Sequence, residues 1–226
     1  MSEGFIIAID GPSGSGKSTV AERVAKELDA IYLDTGAIYR AVAFMLDNWG
    51  VKPESGQVLI GALKKISLSL DGSSVILNGV DVTDKIRNTK VSSLASSFSA
   101  LPEVRKNLLD VQRSQAGHGI LVAEGRDIGT VVFPEAEIKI FLTASPEVRA
   151  KRRWKELAEK GIRETKSAIL DKMIIRDKND SSRNIAPLKM ADNALLVDTS
   201  DKTIEDVVDL ILGLVRKYIM TERIYK

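Results

Sequence analysis

The sequence predicts an α/β fold: a five-stranded parallel sheet covered by helices on both faces, interrupted by a small antiparallel β insertion. Three observations carry that expectation. Short apolar runs alternate with amphipathic helical stretches along most of the chain. A glycine-rich loop separates the first run from the first helix. In the middle, the helical period gives way to period-two alternation punctuated by turn dipeptides.

Phe5–Ile9 is apolar on both faces, as a central parallel strand requires. Asp10–Gly16 is the Gly/Ser/Pro loop. The helix after it places Val20, Val24 and Leu28 on one side. Ile31–Leu33 reads as a second strand ending at Asp34. Thr35 is a candidate cap for a helix whose apolar face is Ile38, Val42, Met45, Leu46 and Trp49, and which Gly50 terminates. Ile66–Leu70 alternates with period two, Asp71-Gly72 and Asn78-Gly79 signal turns, and Val75–Leu77 and Val80–Val82 complete a three-stranded meander. A meander does not belong inside a parallel sheet, so Ala62–Ser97 reads as an insertion. Pro102 opens a helix carrying Val104, Leu108 and Val111. Ile120–Ala123 and Ile138–Leu142 are further buried strands. Ser145 caps a long basic helix, a second helix covers Lys166–Lys178, and Ala194–Val197 is the fifth strand. Thr203–Tyr218 closes the chain as an amphipathic helix.

At 226 residues the chain suits one packed domain with an insertion. The absence of cysteine excludes a disulfide framework and a thiolate metal site. No apolar run approaches the roughly 20 residues of a membrane span, and Phe5–Ile9 is too short for a signal peptide. The expectation is a soluble cytoplasmic protein with no membrane partner. The formal charge of +2 is unevenly spread: Arg149, Lys151, Arg152, Arg153 and Lys155 crowd together, as do Arg176, Lys178 and Arg183. Such runs are either solvated helix faces or surfaces for phosphates. Nucleic-acid binding is disfavoured because aromatic stacking residues are scarce.

Gly11-Pro12-Ser13-Gly14-Ser15-Gly16-Lys17-Ser18 fits the pattern G-x-x-x-x-G-K-[ST]. Glycines let successive backbone N–H groups turn toward one anion, and the helix starting near Lys17 adds the positive end of its dipole. Lys17 supplies a charge for the β- and γ-phosphates, and the Ser18 hydroxyl can bind Mg²⁺. The loop predicts nucleoside triphosphate binding and favours a kinase. A guanine-reading motif is absent: Asp177-Lys178-Asn179-Asp180 has the wrong first residue and lies at the end of a helical stretch.

The acceptor is read from arginines and from missing bases. Arg126 and Asp127 follow a buried strand at its C-terminal end, where an open parallel sheet places its ligands. Arg40 lies on the helix after the second strand. Arg176, Asp180 and Arg183 are spaced to share a helical face. A hydroxyl acceptor needs a base, whereas a phosphate monoester is mostly dianionic at neutral pH and needs charge neutralisation instead. The arginine-rich set therefore favours a phosphate acceptor. A hydroxylated metabolite with Asp34 as base is the alternative enzyme, and a nucleotide-sensing module without turnover is the alternative class. His118, the only histidine, lies in a glycine-flanked loop.

Four segments together resemble the bacterial cytidylate kinase family: Ile9–Ser18, Leu33–Arg40, Glu124–Pro134 and Arg176–Leu188. The resemblance runs from the first strand to the last helix. It implies a P-loop kinase fold with a helical lid, acting on ATP with Mg²⁺ and phosphorylating CMP and dCMP as a monomer. It divides the chain into a core (1–61, 98–148 and 188–226), a CMP-binding insertion (62–97) and a lid with its following helix (149–187). It assigns Gly11–Ser18 and Thr19 to ATP, with Arg153 on the lid. Arg40, Arg126 and Arg183 hold the acceptor phosphate with Thr35 beside them, and Lys17, Arg126 and Arg183 carry catalysis. Ser96, Arg105 and Asp127 read cytosine, and Arg176 and Asp180 contact the sugar. Asn193, where the family pattern has an acidic residue, is a departure outside these segments.

Overall fold

The computed structural model describes residues 4–72 and 74–224. In chain order the elements are β1 (Phe5–Asp10), α1 (Lys17–Glu27), β2 (Ile31–Asp34), α2 (Thr35–Asn48), α3 (Gln57–Leu63), β3 (Leu68–Asp71), β4 (Ser74–Leu77) and β5 (Val80–Asp81). There follow α4 (Thr89–Phe98), α5 (Pro102–Arg113), β6 (Ile120–Gly125), a π-helical turn (Ile128–Val132), β7 (Ile138–Thr143), α6 (Pro146–Glu159), α7 (Lys166–Ser181), β8 (Leu195–Asp198) and α8 (Ile204–Ile224).

The sheet runs β2-β6-β1-β7-β8, with every neighbouring pair parallel. β1 sits at its centre because both faces of the strand are apolar: Ile7, Ala8 and Ile9 have no exposed surface. Ala8 faces a core with Leu33, Ala123, α2 (Ile38, Val42, Leu46) and α5 (Val104, Leu108). Ile7 and Ile9 face the opposite core with Val20 and Val24 of α1 and Val208, Ile211 and Val215 of α8. Each such side chain contributes roughly 1.5–3 kcal/mol on burial. The two cores fix the helices on either face of the sheet.

The second sheet, β3-β4-β5, is antiparallel. Asn78 and Gly79 both adopt positive φ at its tight turn, as the Asn-Gly signal demands. Val75, Leu77, Val82 and Ile86 pack with Val91 of α4 on Ala37 and Ala41 of α2. The meander is thereby seated on the helix that carries Arg40. α6 and α7 form a small unit of their own around Ala150, Leu157, Ile169 and Met173.

Several local expectations are corrected. Asp34, not Thr35, caps α2: its Oδ1 accepts the Ala37 N–H at 2.8 Å. The Thr35 hydroxyl instead donates to the Glu124 carbonyl at 2.7 Å, tying the start of α2 to β6. Trp49 lies past the last turn of α2 and is 42% exposed rather than on its apolar face. α7 continues to Ser181 and α8 to Ile224. α3, α4 and the π-helical turn had no sequence counterpart. No helix among the described residues is long and apolar enough to cross a membrane.

Strand register brings the chemistry together. Asp10 pairs with Gly125, and Asp34 with Glu124. The C-terminal ends of three neighbouring strands, and the loops that follow them, therefore open at one edge of the sheet, where ligands of such folds bind.

Candidate active site

Backbone geometry builds the first half of the site. A side chain at Gly11 would put its Cβ 2.0 Å from the Leu142 carbonyl oxygen, so only glycine lets the loop leave β1 alongside β7. Gly14 and Gly16 have φ of +77° and +95°, a region other residues rarely adopt. Gly16 is the N-cap of α1 and offers no side-chain cap. The first-turn N–H groups of α1 are thus left for a ligand. Lys17 is buried and donates to the Pro12 carbonyl at 2.7 Å. Burial, aided by the nearby Arg126 and Arg176 charges and opposed by Glu124 and Asp10, pushes its ammonium down to about 7. Ser18 and Thr19 lie exposed on the first turn. The Ser18 hydroxyl donates to Glu124 Oε1 at 2.5 Å, and Tyr32 donates to the same oxygen at 3.3 Å.

Glu124 is the functional candidate the sequence reading passed over. It ends buried strand β6, and burial together with the Asp34 charge raises its pKa. Glu124 shares with Arg126 a place at the C-terminal end of a buried strand, the position that marks a ligand site in such sheets. Asp10 is buried nearby, but its two oxygens accept the Ile128 and Gly129 N–H groups, each at 2.8 Å. Burial raises its pKa to about 6 against those two bonds. Among the described residues no group of three or more His, Cys, Asp or Glu could hold a metal alone. One serine hydroxyl beside one free-edged carboxylate fits Mg²⁺ nonetheless, because that ion keeps water and takes oxygens from substrate phosphates.

Side chains build the second half. Asp180, 1% exposed near the end of α7, is the hub. Arg126 Nε lies 3.1 Å from its Oδ2 and Arg176 Nε 3.8 Å from the same oxygen; Arg183 pairs with Oδ1. Arg183 reaches the hub from just beyond the helix rather than from within it. Ser96 on α4 also donates to Oδ1, at 3.5 Å. The three guanidinium charges hold the Asp180 carboxyl below its ordinary value against its burial. Arg176 is pushed down to about 10, first by burial and then by Arg126. The Nε atoms of Arg40 and Arg176 are buried without a hydrogen-bond partner. Unsatisfied buried donors of positive charge are what an incoming anion would relieve. Arg105 and Asp127 form a second buried pair beside this hub, close enough for their charges to act on Arg183, and Arg105 donates to the Ser99 carbonyl at 3.1 Å and lies over the Tyr39 ring.

Asp34 bears on the choice of acceptor. Its Oδ1 caps α2 and its Oδ2 pairs with Arg40 at 2.7 Å, so both oxygens are engaged. His118 is exposed in its loop.

The structure therefore gathers Lys17, Ser18, Thr35, Arg40, Ser96, Arg126, Arg176, Asp180 and Arg183 at one edge. It does not bring Arg153 to the loop; that guanidinium pairs with Glu156 on its own helix at 2.7 Å. Its neighbour Arg152 stands nearer, about where a Gly16 side chain would point, and donates to the Thr199 carbonyl and hydroxyl. Thr199 in turn donates to the Ser15 carbonyl at 3.0 Å. The basic run of α6 is also not one surface, since Arg149 is buried.

Comparison with known proteins agrees with this geometry. The family model described as cytidylate kinase matches residues 7–217. A relative in Fervidobacterium nodosum named cytidylate kinase is 47% identical over 93% of this chain and 96% of its own. The one in Thermotoga sp. (strain RQ2), also so named, is 47% identical over 96% of this chain and its full length. That in Carboxydothermus hydrogenoformans is 48% identical over 92% and 96%. Among solved structures, an uncharacterized protein from Eubacterium ventriosum aligns at TM-score 0.52 with 14% identity over 94% of this chain and 98% of that one, a likeness of fold alone. With a family model spanning nearly its whole length and relatives close to half identical, the chain belongs to the cytidylate kinase family.

Proposed function

We propose that the protein transfers the γ-phosphoryl group of ATP to CMP and dCMP, yielding ADP and CDP or dCDP. The observation that carries this reading is the ring of Arg126, Arg176 and Arg183 around one buried carboxylate, beside the phosphate loop. A ring of that charge suits an acceptor that is itself a phosphate. A hydroxylated acceptor would require a base, and Asp34 is committed on both oxygens.

In this reading the loop amides of Gly11–Ser18 bind the donor phosphates, with Thr19 and Arg153 as further ATP contacts. Ser18 and Glu124 would hold Mg²⁺, which would supply charge neutralisation at the donor's phosphate oxygens. Lys17 leaves the Pro12 carbonyl and follows the γ-phosphoryl group during transfer. Arg40, Arg126 and Arg183 hold the acceptor phosphate beside Thr35, offsetting repulsion between two anions and aligning them for in-line displacement. Arg105, Asp127 and Ser96 read the cytosine, and Arg176 and Asp180 contact the sugar. Residues 62–97 serve as the CMP-binding insertion on the core of 1–61, 98–148 and 188–226. Residues 149–187 serve as the lid and its following helix, keeping water from the phosphoryl group. The reaction requires one chain and two nucleotides, without nucleic acid or membrane, in the cytoplasm.

The test is ADP release from ATP–Mg²⁺ with CMP, dCMP, UMP, AMP and shikimate as acceptors. Turnover with CMP and dCMP far above the others is expected. Turnover with shikimate alone would move the function to the metabolite kinase, and ATP binding without turnover on any acceptor would move it to a sensor.

A further inference from the structure

One ion pair, its arginine buried and its aspartate half-buried, lies outside every role assigned so far. Arg149 sits in the first two turns of α6 with only 3% of its surface exposed. Its guanidinium reaches three partners on three segments. Nε donates to the Ala144 carbonyl at 3.0 Å, Nη1 to the Ser13 carbonyl at 3.0 Å, and Nη2 pairs with Asp177 Oδ2 at 2.6 Å. Ser13 belongs to the phosphate loop, and Asp177 belongs to α7.

Each partner has a consequence. A peptide unit is planar with its C=O and N–H pointing in opposite directions. Drawing the Ser13 carbonyl to Arg149 therefore turns the Gly14 N–H away from α6, toward the inner side of the loop. Asp177 follows Arg176 directly and precedes Asp180 by three residues on α7. Fixing Asp177 thus fixes the turn that presents Arg176 and the Asp180 hub with Arg126 and Arg183. Gly14 closes the joint: a side chain there would meet Met173 Cε at 2.8 Å and Arg149 Cβ at 3.2 Å. The crest of the phosphate loop lies directly against both helices.

An ion pair largely withdrawn from water is weak support for a fold, since apolar replacements of similar volume are often neutral or stabilising. Asp177 Oδ1 is moreover buried without a partner. Packing alone would not call for a directional, incompletely satisfied pair at this place.

We propose that Arg149 and Asp177 are positioning residues for phosphoryl transfer, holding the helix of the acceptor arginines in register with the phosphate loop so that donor occupancy is felt at the acceptor site. The inference rests on the kinase reading above. The pair acts through the Ser13–Gly14 peptide and the last turns of α7 and touches neither nucleotide.

Wild type is assayed first; absence of CMP-dependent ADP release would overturn the kinase reading and leave the variants to be judged by ligand binding alone. Asp177→Asn keeps shape and a hydrogen bond while removing the charge. Arg149→Met/Asp177→Leu removes the pair without leaving a lone charge. With both folded by circular dichroism and assayed well below their Tm, kcat falls about 10-fold to 100-fold, the scale of a small misplacement far from the chemistry. KM for each nucleotide rises by no more than the factor by which one tightens the other in the wild type, since no contact with either is lost. A non-hydrolysable ATP analogue tightens CMP binding in the wild type, and in the variants that factor shrinks toward one. Variants with wild-type kcat and wild-type coupling, a loss confined to the KM for ATP, or a wild type in which the analogue leaves CMP affinity unchanged would each overturn the proposal. If the double variant does not fold, Asp177→Asn decides alone by the same readouts.

Discussion

The proposed donor and acceptor halves of the site are built from different materials. The phosphate loop is backbone: what it offers a ligand is N–H groups, its shape is set by Gly11, Gly14 and Gly16, and its one charged side chain, Lys17, is turned back on the Pro12 carbonyl. The acceptor half is side chain: arginines from β6's end, α7 and the segment beyond it meet on Asp180, supported by Ser96 of α4. A backbone site is local in sequence and pre-shaped. A side-chain site is assembled from distant segments and can loosen, one member at a time, without losing the fold.

The sharpest way to break the comparison is at Lys17, where the donor half depends on a single charge. Lys17→Ala is expected to lower kcat by about a thousandfold, the upper scale for one electrostatic donor to a transition state. Tm should not fall, because the change removes a desolvated cation already pushed down to about 7. Coupled ADP release and thermal unfolding together check it; a tenfold loss or less would mean that the loop amides suffice.

Arg126→Ala probes the shared half. A loss in kcat/KM for CMP of about a hundredfold is expected, with the KM for ATP changed less than about threefold, because Asp180 keeps Arg183 and Arg176. Steady-state kinetics with each substrate varied in turn separates the two. Near-normal rates in a well-folded variant would remove Arg126 from the acceptor set.

The same contrast governs what could be read from the sequence. The parallel strands and the phosphate loop were legible because their patterns are local: an apolar run such as Phe5–Ile9 has few alternatives, and Gly16-Lys17-Ser18 lies where a strand meets a helix. α4 was not legible, since Thr89–Phe98 is rich in serine, a residue that favours caps and turns over helix interiors. The π-helical turn Ile128–Val132 resembles a strand in composition. It takes its shape from Asp10, 118 residues away, which binds the Ile128 N–H. Spacing could join Arg176, Asp180 and Arg183 on one face, but it could not show Arg126 meeting Asp180, 54 residues away, or Arg183 reaching the hub from beyond the end of α7. Arg149 was hidden inside a charge run in which Lys151 and Lys155 face water. Contacts made across the chain leave no periodic trace.

A pH series sharpens the donor half further. Lys17 has a folded-state value near 7, lowered from 10.5 by burial first and by neighbouring arginine charge next. A bound triphosphate favours the ammonium and raises that value. Affinity for ATP is then constant below about 7. It falls by up to about tenfold per pH unit above, for as long as the bound protein holds a proton that the free protein has lost. Titration calorimetry with ATP–Mg²⁺ in buffers of different ionisation enthalpy should show more proton uptake on binding at pH 8 than at pH 6. Equal proton balance at both values would place the titration elsewhere.

The smallest expected effect lies at the rim between the halves. Arg153 is held by Glu156, and both side chains are substantially exposed, at 30% and 45%. Reaching a bound donor requires it to leave that partner, and an exposed ion pair is worth about 1 kcal/mol or less in either arrangement. Arg153→Ala should therefore raise the KM for ATP about threefold at most, with kcat unchanged. Arg152 differs because its guanidinium is fixed by two bonds to Thr199, which itself holds the Ser15 carbonyl. Arg152→Ala should disturb the loop as well as the rim and exceed Arg153→Ala in its effect on the same constant. Measured side by side, a larger loss at Arg153 would show that the lid swings far enough to exchange Glu156 for a phosphate, making the donor half, too, partly a site of assembled side chains.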